Sequence, residues 1–140
     1  MVEKVLIAHD GSDGAQRAFD WAIDLASRFN TKLEMVSVEE HLPRYAETVS
    51  EIEEEKEDQD SYFGQLAEQA KRRAALHNVE LECKIVVGHG VKAIVDFAHE
   101  GGFDLLVVGF TGHSRIYEHL WGGTSQNLTR MAPCSVVVVK

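Results

Sequence analysis

Five short aliphatic runs, each closed by glycine or polar residues, limit what this chain can fold into. They are Val5-Leu6-Ile7-Ala8, Leu33 to Val38, Leu81 to Val87, Leu105-Leu106-Val107-Val108 and Ser135 to Val139. The first has the length and β-branched content of a strand buried on both faces. Between the runs lie segments whose apolar residues recur at helical spacing: Ala15, Ala18, Phe19, Ala22, Leu25, Ala26 and Phe29; Phe63, Leu66, Ala67, Ala70 and Ala74; Val91, Ile94, Val95 and Ala98; and Leu128 with Met131. Five strands alternating with four helices predict an α/β fold, an open parallel sheet wrapped by helices on both faces.

Punctuation supports this division. Ser12 or Asp13 can cap the first helix, and Asn30-Thr31 breaks it. His77-Asn78 closes the second, Gly101-Gly102 the third, and Pro133 the fourth. From Glu39 to Asp60 the composition shifts: Pro43 opens an irregular segment, and Glu51, Glu53, Glu54, Glu55, Glu57, Asp58 and Asp60 form an acidic run. It lacks the glycine and alternating Asp/Asn positions of a calcium loop, so it reads as a solvated connection or helix face, with regular helical spacing resuming at Tyr62.

A chain of 140 residues, 44% hydrophobic, is sized for a single domain, 1–140, with its own core. The net charge of −9 repels nucleic acid and anionic membrane, so neither is expected as a partner. Any phosphate must be held by local backbone dipoles. Cys83 and Cys134 have no metal-ligand or redox spacing and read as buried, reduced thiols. With no signal sequence and no apolar run long enough to span a bilayer, the expected location is cytoplasmic.

The stretch carrying chemistry follows the fourth strand. Gly109 and Gly112 bracket the turn that leaves it, and Gly122 and Gly123 precede Thr124-Ser125 and the last helical pattern. Glycine lets backbone N–H groups approach an anion, and a helix N-terminus favours negative charge. The two clusters are expected to face one ligand. Asp10 stands at the carboxyl end of the first strand, where ligands of open parallel sheets bind, and can serve a turn or a ligand. Val38, at the end of the second strand, is a candidate wall for a flat ligand or simply core.

Over essentially its whole length the sequence closely resembles the universal stress protein family. The resemblance rests on Val5-Leu6-Ile7-Ala8-His9-Asp10-Gly11-Ser12, on Asp104-Leu105-Leu106-Val107-Val108-Gly109 and on Ala132-Pro133-Cys134-Ser135-Val136-Val137-Val138-Val139. Gly109, Gly112 and Gly122 also match the nucleotide motif of the ATP-binding branch: Gly, two residues, Gly, nine residues, Gly, then Ser or Thr. Gly123 stands where that hydroxyl is usual, and Thr124 and Ser125 are candidates to replace it.

The resemblance implies a Rossmann-like five-stranded sheet of order 3-2-1-4-5. It implies that Ala8, Asp10 and Val38 line the adenine and ribose side of ATP or another adenine nucleotide, with Mg2+. Gly109, Thr111, Gly112, His113, Ser114 and Arg115, together with Gly122, Gly123, Thr124 and Ser125, would hold the phosphates. A homodimer through the last strand is expected, since Val136 to Val139 is too apolar to leave as an open edge.

The expected function is a stress-response or signalling module that binds ATP without rapid catalysis. No Gly-x-x-x-x-Gly-Lys-Ser/Thr is present, and His113, His119 and Arg115 are the nearby candidates for phosphoryl chemistry. The alternatives are a slow nucleotide hydrolase or nucleotidyl transferase, with Asp10 on a divalent cation, and a nucleotide-free regulatory partner. The loop reading generates a test: Gly112→Val abolishes ATP binding, because a branched side chain fills the space that the phosphate needs. Calorimetry on a variant that still melts cooperatively checks it, and unchanged affinity would remove Gly112 from the site.

Overall fold

Val5, Leu6 and Ile7 are fully buried, which requires strand β1 (Lys4–Ala8) to be covered on both faces and flanked on both edges. In the computed structural model, which describes residues 2–40, 49–110 and 121–140, β1 is the middle strand of a five-stranded sheet. It pairs in parallel with β2 (Lys32–Glu39) on one side, Ile7 opposite Met35. On the other side it pairs with β4 (Leu105–Gly109), Ile7 opposite Val107. Strands β3 (Leu81–Val87) and β5 (Ser135–Val139) form the edges, giving the order β3-β2-β1-β4-β5. The expected fold and strand order are those observed.

Alternate residues of each strand face two helical layers. Val5, Ile7, Met35 and Val107 pack with Phe19 of α1 (Asp13–Phe29) and Ala70 of α2 (Val49–Ala75). Leu6, Val36 and Leu106 pack with Ile94 of α3 (Gly90–Gly101) and Leu128 of α4 (Trp121–Met131). Burying one such aliphatic side chain stabilises the fold by about 1.5–3 kcal/mol. Helix ends follow the sequence: Ser12 Oγ accepts from the Ala15 N–H at 3.1 Å, and Asn30 closes α1 in the left-handed conformation at φ 52°. Phe29 and Met131, counted in the helical stripes, instead lie exposed at the helix ends.

Two boundaries differ from the sequence reading. Helix α2 begins at Val49, well before Tyr62, and Glu51, Glu53, Glu54, Glu57, Asp58 and Asp60 are all exposed along it. These residues suit a helix N-terminus, but a stretch whose described side chains are all exposed has no apolar period to reveal it. Helix α4 begins at Trp121, so Gly122 and Gly123 lie inside its first turn and do not precede it.

The apolar content of β5 also has an explanation within one chain. Val137 and Val139 pack against one core layer, and Val136 and Val138 against the other. Among the described residues, no strand pairs with the outer edge of β5.

Gly109 ends β4 where it meets the start of α1. A Cβ there would stand 2.7 Å from the Gly14 carbonyl carbon and 3.0 Å from the Ala15 nitrogen, both backbone atoms. Helix-on-strand packing therefore demands glycine independently of any ligand. Gly109→Ala should cost about 1–3 kcal/mol of stability, the usual range for overpacking against atoms that cannot move aside. Urea denaturation monitored by circular dichroism checks this.

Candidate functional site

In this strand order the chain leaves β1 toward β2 with α1 on one face, and reaches β4 from β3 with α3 on the other. The reversal opens a crevice at the carboxyl ends of β1 and β4, the usual ligand site of open parallel sheets. Ala8, the last residue of β1, and Val38, the last but one of β2, are both half-buried on the α3/α4 face, and Gly109 ends β4. Asp10 sits in the turn after Ala8. These four residues, taken from three strand ends, share one edge of the sheet.

The turn from His9 to Ser12 is held group by group. The His9 N–H donates to the Val36 carbonyl at 3.0 Å, and Ser37 Oγ donates to the His9 carbonyl at 2.7 Å. The Gly11 N–H donates to His9 Nδ1 at 3.1 Å, and the Ser12 N–H to Asp10 Oδ1 at 2.9 Å. His9 is buried against Phe19, with its Nε2 at 3.3 Å from Gln16 Oε1. An Nδ1 that accepts and an Nε2 that donates define the neutral tautomer, assigned from this network. Burial lowers the His9 pKa below its ordinary 6.5, against weaker opposing effects of Gln16, Asp10 and Asp20. From α2, Tyr62 Oη donates to the Asp10 carbonyl at 2.9 Å.

The two helices on the α3/α4 face differ in what their N-termini offer. At α3 the Gly90 N–H already donates to Glu40 Oε1 at 2.8 Å, so a carboxylate of the chain itself occupies that end. At α4 the first turn contains Gly122 and Gly123, whose N–H groups have no intrahelical acceptor, followed by Thr124. Thr124 is exposed. Ser125 is buried, and its Oγ donates to the Phe110 carbonyl at 3.2 Å, tying α4 to the end of β4. Its single proton is thereby engaged, which leaves Thr124 as the hydroxyl facing outward.

Thr111, Gly112, His113, Ser114, Arg115 and His119 lie outside the described residues. Among the described residues, no group of three or more His, Cys, Asp or Glu side chains is arranged to hold a metal ion. Sequence reasoning missed three participants: Tyr62, the Glu40 cap on α3, and the hydrogen-bonding role of His9. Tyr62 and Glu40 act on residues about fifty positions away, and no local pattern announces such contacts.

The comparisons with known proteins agree with this architecture. The model of the universal stress protein family matches residues 1–140, and the chain belongs to that family. A universal stress protein of Mycobacterium tuberculosis H37Rv is 34% identical over 142 residues, covering 96% of this chain and 94% of its own. UspA of Lactobacillus plantarum superposes with a TM-score of 0.88 at 25% identity, covering 99% of this chain and 97% of that one. A universal stress protein solved in complex with cAMP gives 0.74 at 28% identity, with 99% and 97% covered.

Because burial lowers the folded pKa of His9, the unfolded chain takes up the proton first as pH falls. This contribution leaves stability unchanged above about 6.5 and reduces it as pH falls from there toward the folded pKa. Wild type should therefore lose more stability than His9→Asn between about pH 7.5 and about pH 5.5, since asparagine can accept from Gly11 without titrating. Urea midpoints of the two proteins at both pH values measure the difference.

Proposed function

We propose that the protein binds ATP, or another adenine nucleotide, with Mg2+ in the crevice between β1 and β4, and acts as a cytoplasmic stress-response module without rapid catalysis. The observation that carries the reading is the division of labour between the helix ends. Glu40 fills the α3 N-terminus, whereas the first turn of α4, with Gly122, Gly123 and Thr124, follows the Gly109 end of β4. A net charge of −9 makes that localised anion site the more necessary.

Ala8 and Val38 provide an apolar wall for adenine, and the Asp10 carboxylate accepts from the nucleoside. Gly109, Thr111, Gly112, His113, Ser114 and Arg115 take the phosphates from one side, with Gly122, Gly123 and Thr124 on the other, while Ser125, expected from the sequence among the phosphate contacts, instead ties α4 to Phe110. The relative solved with cAMP supports an adenine nucleotide as the ligand class. Slow hydrolysis is the second reading, favoured only by His113, His119 and Arg115 in the loop sequence. A homodimer along the open backbone edge of β5 completes the proposal, with sedimentation equilibrium giving the mass of two chains.

Asp10→Asn keeps the acceptor for the Ser12 N–H and removes the charge. It should weaken ATP by roughly tenfold, the difference between a charge-assisted and a neutral hydrogen bond. Titration calorimetry in millimolar magnesium reads the change. An affinity equal to wild type would take Asp10 out of the ligand contact.

A further inference from the structure

We propose that Tyr62 is a positioning residue of the nucleotide site, acting through the Asp10-Gly11 peptide; this role rests on the nucleotide reading above. Helix α2 is exposed from Glu51 to Ser61 wherever its side chains are described, and enters the packed body of the protein at Tyr62 and Phe63. Phe63 is buried, and the Tyr62 ring stands edge-on to it at 5.0 Å and 77°. The ring is thus anchored from below.

Its hydroxyl donates to the Asp10 carbonyl at 2.9 Å. Its ring covers Gly11, which has φ +88°, and a Cβ at that glycine would collide with the tyrosine hydroxyl. Other anchors of the turn come from elsewhere: Val36 and Ser37 of β2 hold the His9 N–H and carbonyl, while His9 and Asp10 hold the Gly11 and Ser12 N–H groups from within. Tyr62 alone of these anchors comes from α2. It fixes the peptide plane that follows Asp10 and so the direction in which the carboxylate projects. Tyr62 is 50% exposed, so water can replace its hydroxyl without unfolding the chain. The replacement loosens the turn and leaves the core intact.

The experiment compares wild type with Tyr62→Phe for three ligands: ATP, adenosine and inorganic tripolyphosphate. Asp10 lies on the nucleoside side, so the variant should lose roughly three- to tenfold in affinity for ATP and adenosine alike, the range set by one neutral hydrogen bond. Tripolyphosphate binding should not change, and amide exchange at Gly11 and Ser12 should accelerate while the melting temperature stays close to wild type. A loss shared equally by all three ligands would show a general structural effect and overturn the positioning role. Equal ATP affinity in the two proteins would overturn the role of Tyr62 alone. Wild type that binds neither ATP nor adenosine would overturn the nucleotide reading, and this role with it.

Discussion

The structure depends on burying β1 on both faces. A strand with Val5, Leu6 and Ile7 fully inaccessible needs a partner strand on each edge and a helix layer above and below. The sequence supplies β2 on one side and reaches the other only after two further helices, with β4. The crevice is a consequence of that route. Wherever α1 and α3 cover opposite faces of the sheet, the carboxyl ends of β1 and β4 are left uncovered between them.

At such a crevice the chain must leave a fully paired strand and turn without abandoning its polar backbone groups. The His9 to Ser12 turn solves this with side chains from its own residues and from β2 and α2. The solution constrains residue type closely. His9 must be neutral to accept from Gly11, and Gly11 must lack a Cβ, both for its positive φ and for the tyrosine above it. Under the proposed function, a turn with its polar groups already held needs little further ordering, which lowers the cost of binding.

Much of this architecture is legible in the sequence because buried parallel strands and sheet-facing helices write their packing into apolar periodicity. The Ala18, Ala22 and Ala26 stripe and the Leu105 to Val108 run are read directly. The start of α2 is not, since its exposed acidic turns carry no such period. Neither are the contacts of Tyr62 with Asp10 and Glu40 with Gly90, whose cause is spatial. Gly109 shows the opposite difficulty: the sequence offers one reason for the glycine, phosphate approach, while the fold supplies another in the backbone of α1. Two causes acting on one residue cannot be separated from residue identity alone.

Under the proposed function, charge decides where the phosphates settle on this surface. The acidic turns of α2 raise the cost of bringing phosphate near that helix, and Glu40 removes the α3 N-terminus by occupying it. Ser125 spends its proton on the Phe110 carbonyl, which draws the start of α4 to the end of β4 and leaves Thr124 outward. Each of these is a modest local effect, of the order of 1 kcal/mol for a hydrogen bond or a helix dipole contact. Their signs agree. An acidic protein can bind a polyanion when repulsion is spread over its surface and attraction is concentrated on backbone N–H groups, which do not titrate.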